Sequence, residues 1–192
     1  MAIVKLAKKG YGMLELNQVA FRRDGRIEAQ CFLDKDEFPM DATEIGEVAE
    51  NGMLFAIDRV GRLLKKATLA LAATQVIGIN YSAEKLYDER APQLRNYFTV
   101  QGEFLPRLGY LDIGDKFHTN TICYDDTTFA AEEDIQDAIE SGTPLYAGIA
   151  ADGSGYWELS TTVPVEGPVA LVIEYSTMPD GQTGLKLQIL KV

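Results

Sequence analysis

A single histidine, His118, stands in the chain, within the run DKFHTNT at 115–121. One imidazole excludes any site that needs two, including the His-rich zinc sets. Its alternation with Lys116 and Asn120 places it on the surface or at the interface of a strand, as an ordinary polar contact. Asp125 and Asp126, with Asp112, Asp115 and Glu103, supply the carboxylate oxygens that a hard cation requires, set against the plainer reading of a solvated acidic loop. Asp34, Asp36 and Asp41 invite comparison with an EF-hand loop and fail it: Pro39 stands at the sixth position, where the turn needs glycine, and Ile45 at the twelfth, where a bidentate Glu belongs. Gly10-Tyr11-Gly12 and Gly153-Ser154-Gly155 continue into no phosphate-cradling motif, and Ser154 lacks the strand-to-helix elbow that presents a nucleophile, so both read as turn geometry. Cys31 and Cys123 give no disulfide framework and read as small buried hydrophobes. No motif asks for a cofactor or a resident metal.

The charge that surrounds these residues is uneven. Of 18 basic and 29 acidic side chains in 192 residues, residues 1–96 carry 14 and 14, and residues 97–192 carry 4 and 15, so the second half holds the whole net charge of −11. Such an acidic surface repels phosphate backbones and anionic headgroups, which argues against nucleic-acid and membrane partners. The start, MAIVKLAKKG, shows no apolar core of signal-peptide length, and the run Thr68–Ala73 is far too short to span a bilayer, so a cytoplasmic location is expected. That location leaves the sequon Asn80-Tyr81-Ser82 without a route to glycosylation.

Stepping along the chain, short alternating runs separated by turn residues predict an all-β fold, a sandwich or small barrel built of hairpins, with one short helix near residues 130–141. Residues 13–21 and 26–33 read as a hairpin through Asp24-Gly25, and Glu47–Glu50, Met53–Asp58 and Arg62–Lys65 as a meander turning at Asn51-Gly52 and Gly61. A connection over 66–74 leads to a strand at Gln75–Tyr81. The polar segment at about 82–96 is the expected boundary between a lobe at 1–82 and an acidic lobe at 96–192. In the second half the spacing predicts strands at Tyr97–Val100, Leu108–Leu111, Lys116–Asn120 and Ile122–Tyr124. The helix follows, capped by a threonine and stopped by Gly142. Two further hairpins are expected, Leu145–Ile149 with Tyr156–Ser160 and Val169–Tyr175 with Leu185–Leu190.

Three stretches taken together, ELNQVAFRRDGRIEAQ, EKLYDERAPQLRNYFTVQGEFLPRLGYLDIGDKFHTNT, and TPLYAGIAADGSGYWELS with STMPDGQTGLKLQIL, resemble tailed-phage head decoration, auxiliary, cement or head-fibre proteins. The resemblance spans most of the chain as an order of segments and carries no catalytic signature. It implies a non-enzymatic virion protein on the capsid exterior, assembled in the host cytoplasm, that contacts the major capsid protein and can form a homo-oligomer there. The balanced first half is then the docking lobe, with Arg22, Arg23 and Arg26 as candidate capsid contacts, and the acidic half faces solvent. A rival reading makes the acidic lobe a carbohydrate- or receptor-binding module whose stacking surface is Tyr146, Tyr156 and Trp157, against a core role for the same aromatics. A second rival, an enzyme acting through paired carboxylates, has no spacing rule to support it.

Overall fold

The computed structural model describes residues 2–8, 12–15, 19–21, 27–28, 30–39, 48–82, 98–99 and 105–192. With 41% strand and 9% helix among the described residues, the fold is mainly β and sandwich-like, as the short alternating runs predict. The first half contributes β1 (Ile3–Lys5), β2 (Ile27–Glu28), β3 (Phe32–Leu33), β4 (Ala49–Glu50), β5 (Leu54–Asp58), β6 (Leu63–Lys66), the one-turn α1 (Leu69–Ala72) and β7 (Val76–Asn80). The second contributes β8 (Phe98–Thr99), β9 (Leu108–Tyr110), β10 (Lys116–Thr119), β11 (Ile122–Asp125), α2 (Glu132–Glu140), β12 (Tyr146–Ile149), β13 (Trp157–Ser160), β14 (Val169–Thr177) and β15 (Thr183–Lys191).

These strands form a seven-stranded sheet in the order β1-β11-β13-β12-β14-β15-β10, a six-stranded sheet in the order β2-β9-β7-β5-β6-β3, and a β4-β8 pair. Among the described residues neither large sheet closes into a barrel. The seven-stranded sheet is curled all the same: only Asn120 and Thr121 separate β10, at one edge, from β11, next to the other. That curl lets Phe117 on β10 meet Trp157 on β13, with ring centroids 5.6 Å apart. The sheets do not follow a division of the chain at 82–96. Strand β1 pairs with β11 in the sheet of the second half, and β9 pairs with β7 in the sheet of the first. Residues 83–97 themselves lie outside the described residues.

The hairpins β12–β13 and β14–β15 stand where alternation and turn residues place them, as does α2. Its N-cap is Ala131 rather than a threonine; the Asp134 carboxylate accepts the Ala131 N–H at 3.0 Å, and Gly142, at φ +78°, ends the helix region. The expected first hairpin is not formed by the described residues. Leu14 and Ala20 bridge to Thr119 and Lys116 of β10, while β2 joins β9 and β3 runs parallel to β6. Alternation says that a run has one buried face and leaves its partner open, and here the bare edge of β10 takes residues 14 and 20. Asn51-Gly52 does turn, with Gly52 at φ +91°, but it leads from β4 to β5, which belong to different sheets. The turn from β5 to β6 is a true hairpin whose left-handed residue is Arg62 (φ 55°) rather than Gly61.

Strand β5 shows how the layers are held together. Leu54 and Ala56 point into a core shared by the two sheets, with Ile79, Phe117, Ile122, Trp157 and Leu187, while Phe55 and Ile57 point into a second cluster with Phe38, Leu64, Cys31 and Cys123. A strand covered on both faces reads as a continuous apolar run, which LFAI is. Both cysteines are buried, as the sequence suggests.

Candidate functional site

Polar side chains rarely enter a core unless hydrogen bonds compensate their lost hydration. Here a group of them lines the seam between the sheets: Glu50, Asn51, Asn80, Ser82, Thr119, Asn120 and Thr121 are all buried. The Glu50 carboxylate accepts the Tyr156 hydroxyl at 2.6 Å and the Gly12 N–H. Lys5 donates to the Tyr156 oxygen at 3.3 Å, with its ammonium 4.4 Å from the ring centre. Asn120 accepts the Met13 N–H at 2.7 Å, Thr119 donates to the Met13 carbonyl at 2.6 Å, and Thr121 donates to the Asn51 carbonyl. Asn80 donates to the Glu50 carbonyl at 2.8 Å, so the sequon asparagine is buried and engaged. These bonds fasten residues 12–13 and the β4–β5 turn to the end of β10. Burial, reinforced by Glu50, pushes the Tyr156 hydroxyl well above the usual phenol range, and burial with the Asp152 and Glu158 charges does the same for the Cys123 thiol. A thiol held protonated is a poor nucleophile.

His118 is not the surface residue its alternation suggests: it is 2% exposed. Its Nε2 lies 2.6 Å from the Ser176 Oγ, a contact that crosses the intervening strand β15. The crossing depends on Gly184, where a Cβ would sit 2.9 Å from that nitrogen. Burial lowers the imidazole's proton affinity, opposed by a hydrogen bond at Gly184 and the carboxylates of Glu15 and Glu174. A neutral imidazole against a hydroxyl is the pairing that activates a nucleophile; in this sheet it ties β10 to β14.

The aromatics proposed for stacking are displaced inward. Tyr156 and Trp157 are both 0% exposed and only Tyr146 is half-buried, so the three present no stacking surface. The reason is strand position: Trp157 shares the face of β13 with Leu159 that packs into the common core, and Tyr156 is drawn in by Glu50. Arg22, Arg23 and Arg26 lie outside the described residues, as do Glu103 and Asp41. The remaining acids do not gather: the Asp115 carboxylate accepts the Asp112 N–H at 2.8 Å, Asp125 accepts from Thr127, and among the described residues no three His, Cys, Asp or Glu side chains form a metal-holding group. Among those residues, too, no helix is long and apolar enough to cross a membrane.

Sequence reading missed an open groove of about 570 Å³ on the outer face of β11, β13 and β12. Its floor holds Glu158 and Ser160, which alternate with the core-facing Trp157 and Leu159. Asp125 closes one side, and the loop carrying Pro164, Val165 and Glu166 folds over the other. Gly148 permits that loop to approach, since a Cβ there would lie 2.9 Å from the Pro164 ring. Glycine at a strand interior was the available signal, because it marks a close approach of another segment. No protein-family model, curated protein or solved structure matches this chain.

Proposed function

We propose that this chain is a non-enzymatic virion protein that binds the outside of a tailed-phage head and stabilises or decorates it through contacts with the major capsid protein. The observation that carries the reading is the division of charge in the fold. Glu132, Glu133, Asp134, Asp137 and Glu140 cluster on α2, and Asp125, Asp152, Glu158, Glu166 and Glu174 lie on the strands and loops of the seven-stranded sheet. Arg59, Arg62, Lys65 and Lys66 lie on β6 and its turn in the six-stranded sheet. An acidic layer repeated over a shell would be self-repulsive if pressed against it, whereas in solvent it is hydrated and screened over about 8 Å at physiological salt. The six-stranded layer is therefore the docking side.

The resemblance to head decoration proteins supports the same reading. Its middle segment, PRLGYLDIGDKFHTNT, supplies β9, the turn at Asp112–Asp115, β10 and the seam residues Thr119, Asn120 and Thr121. Those residues link the two sheets, an architectural role of the kind a coat protein needs. The exterior of the virion, after assembly in the host cytoplasm, is the location this reading gives. Quantitative mass spectrometry of purified particles from the encoding phage tests it: a fixed ratio of this chain to the major capsid protein is expected, and its absence from particles would overturn the proposal.

A further inference from the structure

The hairpin turn between β5 and β6 is built more firmly than a solvent loop requires. The Asp58 carboxylate accepts the backbone N–H groups of Val60 and Gly61 at 3.0 and 2.9 Å. Arg62 is held in the left-handed region at φ 55°, a conformation strained for a non-glycine residue, although a glycine stands beside it. The result sets Val60 at the tip, 97% exposed, with Phe32 at 52% alongside. The arginines flank the tip and are steadied away from it: Arg62 donates to the Gln30 carbonyl at 3.1 Å, and Arg59 lies over the Tyr110 ring.

The groove on the other sheet has the opposite character. Asp125, Glu158 and Glu166 line it beside Leu69, Pro164 and Val165; among the described residues no lysine or arginine lines it, and Lys191 donates to the Val165 carbonyl. Its volume accommodates several side chains. The two surfaces lie at opposite ends of β6, since Arg62 immediately precedes the strand and Leu69, at the groove, follows it by three residues. The four residues of the strand alone span about 13 Å. A copy therefore does not fill its own groove, and complementary patches at opposite ends of one molecule generate head-to-tail contacts.

We propose that this chain associates with itself head to tail, the Arg59–Arg62 turn of one copy seating Val60 in the Asp125/Glu158/Glu166 groove of the next. The partner is a second copy because the same chain presents an apolar tip between two cations and an apolar groove among three carboxylates. The inference does not depend on the capsid reading and is tested without capsids.

Sedimentation velocity on the full chain from 5 µM to roughly 0.5 mM is the measurement, on a concentration scale set to catch weak, transient interfaces. The unaltered chain associates progressively; a monomer throughout would overturn the proposal. Arg59→Glu/Arg62→Glu and Asp125→Lys/Glu166→Lys each set like charges against like, and each alone weakens association by at least about tenfold. Mixed, the two variants restore it, because each supplies the turn that fits the other's groove. Undiminished association of either variant alone, or failure of the mixture to recover, would overturn the proposal. Two further variants spare the fold: Val60→Asp alters a side chain that is 97% exposed, and Arg62→Gly relieves the left-handed strain. Both keep or raise the melting temperature and weaken association, and retention of full association by both would contradict the seating.

Discussion

At His118 the cost of burial falls on the charged form, so the folded protein holds this imidazole neutral below its ordinary value of 6.5. Between the lowered value and 6.5 the unfolded chain binds the proton and the folded one does not, so stability is full above 6.5 and is lost as pH falls. Urea midpoints at pH 7.5 and pH 5.5 should therefore differ, the lower pH being less stable, and His118→Gln should shrink the difference; equal midpoints in the unaltered chain would contradict the assignment. The opposite limb belongs to Cys123 and Tyr156, whose folded values lie above the unfolded ones. Their contribution is complete below the ordinary thiol value of 9.0 and declines as pH rises beyond it. Cys123→Ala should delay the onset of that decline toward the phenol range in denaturation series from pH 8 to 11, and an unchanged onset would assign the alkaline limb elsewhere.

Two glycine positions separate local conformation from packing at the level of the element. Gly52 and Gly181 both have positive φ, at +91° and +83°. A Cβ on Gly52 would lie 2.5 Å from the Thr119 hydroxyl and 2.7 Å from that of Thr121, while on Gly181 it would meet nothing within 4 Å. Gly181→Ala is expected to cost about 1 kcal/mol and Gly52→Ala about 2–4 kcal/mol by chemical denaturation, and equal costs would mean the seam is looser than described. Gly52 also marks the limit of what was legible in the sequence. Asn51-Gly52 announced a turn, but nothing local said that its neighbours would be Thr119 and Thr121. The β12–β13 and β14–β15 hairpins and α2 could be read because their partners are sequence neighbours and their stops are glycines. The partners of Leu14 and Ala20 could not, because they lie on β10, about a hundred residues on. His118 eluded the reading for the same reason, since it reaches Ser176 across 58 positions; the core role weighed for Tyr156 and Trp157 holds, although the Glu50 partner of Tyr156, 106 positions away, was not legible.

For the molecule as a whole, the exchange of β1 and β9 between halves and the core common to both sheets tie folding into one event. Trp157, the only tryptophan, is buried in that core. Its fluorescence and the far-ultraviolet signal of the strands should report one midpoint on urea unfolding, and two separated transitions would indicate independent lobes. Under the proposed coat role, the asymmetry of layers sets which face would meet the shell. The most direct measurement is co-sedimentation of the full chain with purified heads that lack it, followed by cross-linking of the bound complex. The account predicts saturation at a fixed ratio to the major capsid protein, with cross-links from Lys65 and Lys66 of the six-stranded layer to the shell. No binding, or cross-links to the shell arising instead from Lys186 and Lys191 of the acidic layer, would contradict it.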